Sequence, residues 1–247
     1  MQWSPIGCSL AVTYRQTESP YTNAASLKRK ENKESDPPIV TETAWYRLDG
    51  DGYFGHARFQ LYLVDAATGS YKKIWSKDTM GFFSNCWSPK GDKIAIATNT
   101  SKNALTDSRP TKIILHNVNS GKNTLLPNCP KGPKDAICWS PNGKFLAWAG
   151  RKGDESTNST ENLEIYVAST AKGNAKGITS DIDRCLMAVT LSDTGDISFG
   201  ASLHWSNDSK NILVKIGWHG EEHICTIPRS GGVLKPLTSG NAIHAIG

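Results

Sequence analysis

The apolar residues of this chain fall in short runs punctuated by Gly, Pro, Asn and Ser, which is the length and punctuation of strands rather than helices. Four runs are clearest: Leu10-Ala11-Val12, Ile94-Ala95-Ile96-Ala97, Phe145-Leu146-Ala147-Trp148 and Ile212-Leu213-Val214. Each follows one recurring turn: Trp3-Ser4-Pro5-Ile6-Gly7, Trp87-Ser88-Pro89-Lys90-Gly91, Trp139-Ser140-Pro141-Asn142-Gly143 and the degenerate Trp205-Ser206-Asn207-Asp208-Ser209. Proline presets φ in such a turn, glycine accepts positive φ, and the tryptophan can pack between neighbouring sheets. The pattern predicts a strand, a tight turn and a second strand.

A second hairpin follows each of these. Phe59–Asp65 leads through Thr68-Gly69 to Tyr71–Ile74, and Lys112–Leu115 leads through Ser120-Gly121 to Thr124–Leu126. Leu163–Val167 leads through Lys172-Gly173 to Gly177–Thr179, and His223–Ile227 leads through Gly231-Gly232 to Leu234–Thr238. Four strands per unit, repeated, predict an all-β chain of four-stranded antiparallel β-propeller blades. Four blades are present, at about 1–75, 87–126, 139–179 and 205–238. A β-sandwich is the alternative, but it gives no reason for the recurring Trp3, Trp87, Trp139 and Trp205. Those tryptophans lie 84, 52 and 66 residues apart, against roughly 40–50 for a plain blade. The surplus predicts surface insertions at 16–57, 99–110, 151–161 and 180–202, all rich in polar residues.

Composition narrows the functional classes. Hydrophobic residues make up 38% of 247, enough for a core, and no apolar stretch reaches the length of a membrane helix. Met1–Pro5 carries no basic or apolar leader, so a cytoplasmic chain is expected. The net charge is +5, much of it in the mixed-sign run Lys28–Glu34, which reads as a solvated loop rather than a nucleic-acid surface. Neither a membrane nor a nucleic-acid partner is expected. Six cysteines (Cys8, Cys86, Cys129, Cys138, Cys185 and Cys225) show no metal spacing and read as reduced, mostly buried thiols.

The repeated Trp-Ser-Pro-x-Gly-Lys-x-Ile-Ala, with Ile-Tyr-Val before a Gly turn, resembles the blades of TolB-like propellers and of the prolyl oligopeptidase family of serine peptidases. Trp45–Tyr53, followed by Leu61-Tyr62-Leu63-Val64-Asp65 and Thr68-Gly69, is similar to the acylaminoacyl-peptidase branch of that family. There a Tyr-Arg-x-Asp-Gly-x-Gly-Tyr stretch sits on a long insertion before a strand. The match is to a divergent member: the family's Asp after Trp-Ser-Pro is Ile6, Lys90 and Asn142 here.

Such peptidases join a propeller to an α/β-hydrolase domain bearing a Gly-x-Ser-x-Gly elbow. This chain has none; Gly200-Ala201-Ser202-Leu203-His204 lacks the last glycine and leads into a strand. No catalytic residue, cofactor or metal site is therefore expected. Asp49–Gly52 lacks the downstream Glu of a calcium loop, since that place falls at Gln60. His219 and His223 straddle a hairpin turn, and Glu221-Glu222 reads as its solvated tip.

The resemblance implies a propeller that gates peptide access to a hydrolase domain absent from this chain, with Arg47, Asp49 and Tyr53 shaping a substrate entrance or partner contact. The alternative is a free-standing, WD-repeat-like propeller that scaffolds a protein partner through its face. The glycine-to-tryptophan step is 18 residues for Gly69→Trp87 and for Gly121→Trp139. The same step from Gly232 runs off the C-terminus and on to Trp3. Residues 239–247 are thus expected to supply an inner strand, either of the first blade, with Ile243 and Ile246 beside Leu10–Val12, or of a further blade in a longer protein.

Overall fold

The computed structural model describes residues 1–107, 109–153, 162–184, 186 and 200–244. Its strands form four four-stranded antiparallel sheets. Sheet one contains β1 (Gln2–Trp3) and β2 (Ser9–Tyr14). An insertion then carries a 3-10 turn, α1 (Asn23–Asn32) and the hairpin β3 (Arg47–Leu48) and β4 (Gly52–Tyr53), before β5 (Gln60–Asp65) and β6 (Tyr71–Trp75) complete the sheet. Sheet two is β7 (Ser84–Trp87), β8 (Lys93–Asn99), β9 (Thr111–Asn117) and β10 (Asn123–Leu125). Sheet three is β11 (Lys134–Trp139), β12 (Phe145–Gly150), β13 (Glu164–Ser169) and β14 (Gly173–Gly177). Sheet four is β15 (Leu203–Trp205), β16 (Asn211–Trp218), β17 (Glu221–Pro228) and β18 (Lys235–Pro236).

Each sheet pairs its strands in simple up-and-down order. The recurring turn behaves as its residues dictate. Gly7, Gly91 and Gly143 take φ of 74°, 68° and 73°, and each donates its N–H to the carbonyl of Ser4, Ser88 or Ser140 at 2.8–2.9 Å. In the degenerate copy Ser209 holds the same left-handed place, at φ 59°. The turn serine matters as well. Ser88, Ser140 and Ser206 hydroxyls accept the N–H of Lys93, Phe145 and Asn211 at 2.9–3.0 Å, stitching the turn to the next strand.

Period-two alternation then sorts the core. Ile94 and Ile96 of β8 join Ala11, Leu61 and Leu63 between sheets one and two. Ala95 and Ala97, one residue out of phase, join Leu146, Trp148 and Tyr166 between sheets two and three. Ala147 and Ala149 of β12 meet Ile212, Val214 and Ile216 between sheets three and four. β8 and β12 are therefore buried on both faces, and so carry no polar side chain between Ile94 and Ala97 or Leu146 and Ala149. Each fully buried aliphatic side chain contributes roughly 1.5–3 kcal/mol of transfer free energy.

The tryptophans report the stacking order. The Trp87 indole donates to Gln2 O of the preceding sheet at 3.3 Å, and Trp205 donates to Cys138 O at 3.4 Å. Trp139 instead closes its own turn on Gly143 O, 3.0 Å. Trp3, by contrast, is 60% exposed. Among the described residues no apolar cluster joins sheet one to sheet four.

Several expectations need correction. Lys28–Asn32 belong to a helix, not a loop: Thr22 caps it by accepting Ala25 N–H, and its residues are good helix formers with no buried member. Cys8 is exposed in its turn, whereas Cys225 is buried; all five described cysteines are free thiols, and Cys185 lies outside the described residues. β14 lies ahead of the predicted Gly177–Thr179, because β13 pairs Tyr166 with Gly177, Val167 with Lys176 and Ser169 with Gly173. Sheet one does not lack an inner strand, since β1 pairs Trp3 with Leu10 and Gln2 with Ala11, whose other edges face β5. Ile243 forms a parallel bridge with Glu222 of β17 instead; Ala245 and Ile246 lie outside the described residues.

Candidate functional site

The Trp45–Tyr53 segment folds as the β3–β4 hairpin, turned through Asp49-Gly50-Asp51. Asp51 N–H reaches Leu48 O at 3.1 Å, and Gly50 and Gly52 take φ of 80° and 78°, which is why glycine stands at both. Arg47 pairs with Tyr53 across the ladder. Its guanidinium lies 5.6 Å from the Tyr53 ring centre and 3.3 Å from Asp49 Oδ1. Tyr46 stacks on Tyr53, ring centres 6.1 Å apart.

The structure thus brings Arg47, Asp49 and Tyr53 together on one exposed tip. Arg47 and Asp49 side chains are 55% and 96% exposed, so their pair is worth no more than about 1 kcal/mol. Both side chains are open to solvent.

What holds the hairpin lies beneath the tip. Arg15 is sandwiched between Phe54 and Phe59, 4.7 and 4.9 Å from their ring centres, and pairs with Asp51 at 2.6 Å. Glu18 accepts the N–H groups of His56 and Ala57 at 2.6 and 2.8 Å. Arg58 donates to Gly55 O, Ala57 O and Trp45 O, and its pKa is lowered by burial and by the neighbouring Arg15 charge. Trp45 packs edge-on against Phe54 and Phe82. A 230 Å³ cavity opens beside the tip, between Arg15, Tyr21, Ile39, Tyr53 and Phe54. Sequence reading passed over Arg15 and Glu18, because their partners lie 36 and 38 residues away and no local motif marks them.

The remaining candidates fall as follows. Asp51, which a calcium loop would need, is committed to Arg15, and no group of three or more metal-ligating side chains occurs among the described residues. Ser202 Oγ sits 3.0 Å from His204 Nε2, on the way into β15 rather than at a strand-to-helix elbow. His219 and Gly220 both take positive φ, the geometry of a two-residue hairpin turn between Trp218 and Glu221. Glu222 is not solvated: it is fully buried, and its carboxylate meets the buried Lys215 ammonium at 3.4 Å.

Comparison with solved structures identifies the architecture. The chain superposes on Pyrococcus horikoshii acylaminoacyl peptidase with a TM-score of 0.61 at 14% identity, over 97% of this chain and 31% of that one. Its fold is that of a β-propeller. A Mycobacterium tuberculosis puromycin-hydrolyzing peptidase matches at TM-score 0.52 and 12% identity, over 76% of this chain and 27% of its own length. A TolB-type protein of Agrobacterium tumefaciens matches at TM-score 0.50 and 16% identity, over 96% of this chain and 78% of that one. The chain spans about a third of the length of the acylaminoacyl peptidase it resembles. No family model and no curated protein sequence matches it. Among the described residues no helix is long and apolar enough to cross a membrane.

Proposed function

We propose that this propeller is the non-catalytic gating region of an acylaminoacyl-peptidase-like serine peptidase, admitting peptides to a hydrolase domain that this chain does not contain. The observation that carries the reading is the hairpin tip. Arg47, Asp49 and Tyr53 project into solvent from an insertion anchored on sheet one, in a chain 97% of which superposes on 31% of the peptidase. Peptide is the partner: an exposed tyrosine pair offers apolar faces, and Arg47 offers donors to backbone carbonyls or carboxylates.

Two measurements test this. The purified chain is expected to leave acyl-aminoacyl p-nitroanilides intact, and turnover would overturn the non-catalytic assignment. In a protein that joins this chain to a hydrolase domain, Arg47→Ala with Asp49→Ala is expected to change the preference between short and long peptides several-fold. An unchanged profile would remove the gating role.

A second reading, a free-standing scaffold that binds a protein partner, is favoured by the coverage of the TolB-type structure, 78% of which this chain spans. The presence or absence of a hydrolase segment in the same polypeptide separates the two.

A further inference from the structure

The outer face of sheet one is built like an interface. Cross-strand pairing sets one row over all four strands, Trp3 beside Leu10, Leu10 beside Val64 and Val64 beside Tyr71. Val12 pairs with Tyr62 in the same plane. Trp3, Tyr14 and Tyr71 are exposed, and an open groove of about 360 Å³ runs between Val12, Tyr14, Tyr62, Val64 and Tyr71. A contiguous exposed apolar face of this kind marks a contact surface.

The register of the repeat says what fits it. Leu10, Ile94, Leu146 and Ile212 each stand seven residues after the tryptophan of their own sheet, and Ala11, Ala95, Ala147 and Leu213 stand eight after it. Ile94, Leu146 and Ile212 are fully buried against the sheet before them, in clusters with Ala11, Ala95 and Ala147 respectively. Leu10 and Leu213 are the two half-buried ends of that series, and among the described residues neither joins an apolar cluster. The polar contacts step in the same way. Trp87 and Trp205 donate back to the carbonyls of Gln2 and Cys138, each of which immediately precedes a tryptophan of the earlier sheet; the counterpart in sheet four is the exposed His204. In the turns, a Cβ on Gly91 would come within 3.0 and 3.3 Å of Ser4 and Ile6, and Ser209 Oγ accepts Asn142 N–H at 3.1 Å. A Cβ on Gly7, at the same place in sheet one, would meet no described atom within 4 Å.

We propose that sheet one packs on sheet four of a second copy of this chain, and sheet four of the first copy on sheet one of the second, closing a ring of two chains. Leu10 and Val12 then lie on the partner's Leu213 and Ile224, Trp3 donates to the partner's His204 carbonyl, and Gly7 meets the partner's Asp208. The occupant is a second copy because one chain carries both halves of the match, and head-to-tail contacts of this kind form rings when they close. Two chains of four sheets stay within the roughly four to eight blades of known propellers. The area suffices as well: each four-stranded face is about 19 Å by 20 Å, so four covered faces bury on the order of 1,500 Å², the size of a stable interface. The surface shares no residue with the β3–β4 hairpin and does not depend on a hydrolase domain.

Sedimentation equilibrium of the full chain tests it. A discrete species of twice 26.9 kDa is expected at micromolar concentration. Val12→Lys on sheet one and Leu213→Lys on sheet four, each with an unchanged circular dichroism spectrum, are expected to weaken association at least tenfold. Mixing the two variants leaves one intact contact, of wild-type sheet four on wild-type sheet one, so the mixture is expected to pair more tightly than either variant alone. A monomeric wild type, open-ended assemblies, or a Leu213→Lys variant that dimerises like the wild type would each overturn the proposal, the last because it would mean sheet one on sheet one. Should a lysine variant fail to fold, hydrogen exchange of the wild type on dilution decides. Exchange is expected to rise together in β1–β2 and β16–β17 while β8 and β12 stay protected, and a rise confined to one end sheet would refute the ring.

Discussion

Gly143 holds φ at 73° in the turn between β11 and β12, and a Cβ built there would meet no atom within 4 Å. The cost of Gly143→Ala is therefore conformational alone, about 1 kcal/mol, and a shift of the urea midpoint without a change in slope would show it. Lys134 poses a different problem. Its ammonium is buried and donates to Thr111 O, Pro130 O and Gly132 O at 2.8, 2.5 and 2.8 Å. Burial pushes its pKa down from 10.5 to about 8, against a weaker opposing effect of Cys129. Between those values the unfolded chain binds the proton and the folded chain does not, so stability rises with pH across that window and is flat below it. Thermal melts of wild type against Lys134→Met from pH 7 to 10.5 check this, and the difference should move in favour of the wild type as pH rises.

The insertion shows how an element can be recognised yet not understood locally. The Tyr46–Tyr53 motif is legible because a hairpin with two turn glycines is written in adjacent residues. Its anchor is not, since Arg15 leaves β2 and meets Asp51 only after the intervening chain has folded back. Arg15→Ala removes an ion pair of which each partner is less than a third exposed, together with two ring contacts. It should loosen the hairpin while leaving the four sheets folded. Limited proteolysis is expected to cut the insertion first in this variant, at a protease dose that spares the wild type, whereas Arg47→Ala should leave the cleavage pattern unchanged. The helix α1 was missed for a related reason: with no buried face it carries no hydrophobic period to read.

Across the described residues, stability is distributed over three apolar interfaces rather than one core. Ile96, fully buried between sheets one and two, should cost about 2–5 kcal/mol when truncated to alanine. Hydrogen exchange would place the loss, because protection in β2 and β5 should fall more than in β16 and β17. By itself the sequence determined the turns, the strands and their fourfold recurrence, since proline, glycine and period-two alternation act within a few residues. It also marked the Arg47–Tyr53 tip. Only the tertiary structure decided that Trp3 lies open while Trp87 reaches back to Gln2, and that Glu222 is buried against Lys215. Those outcomes depend on which surfaces meet across tens of residues, and burial, the quantity that sets the energy of each, does not exist until they do.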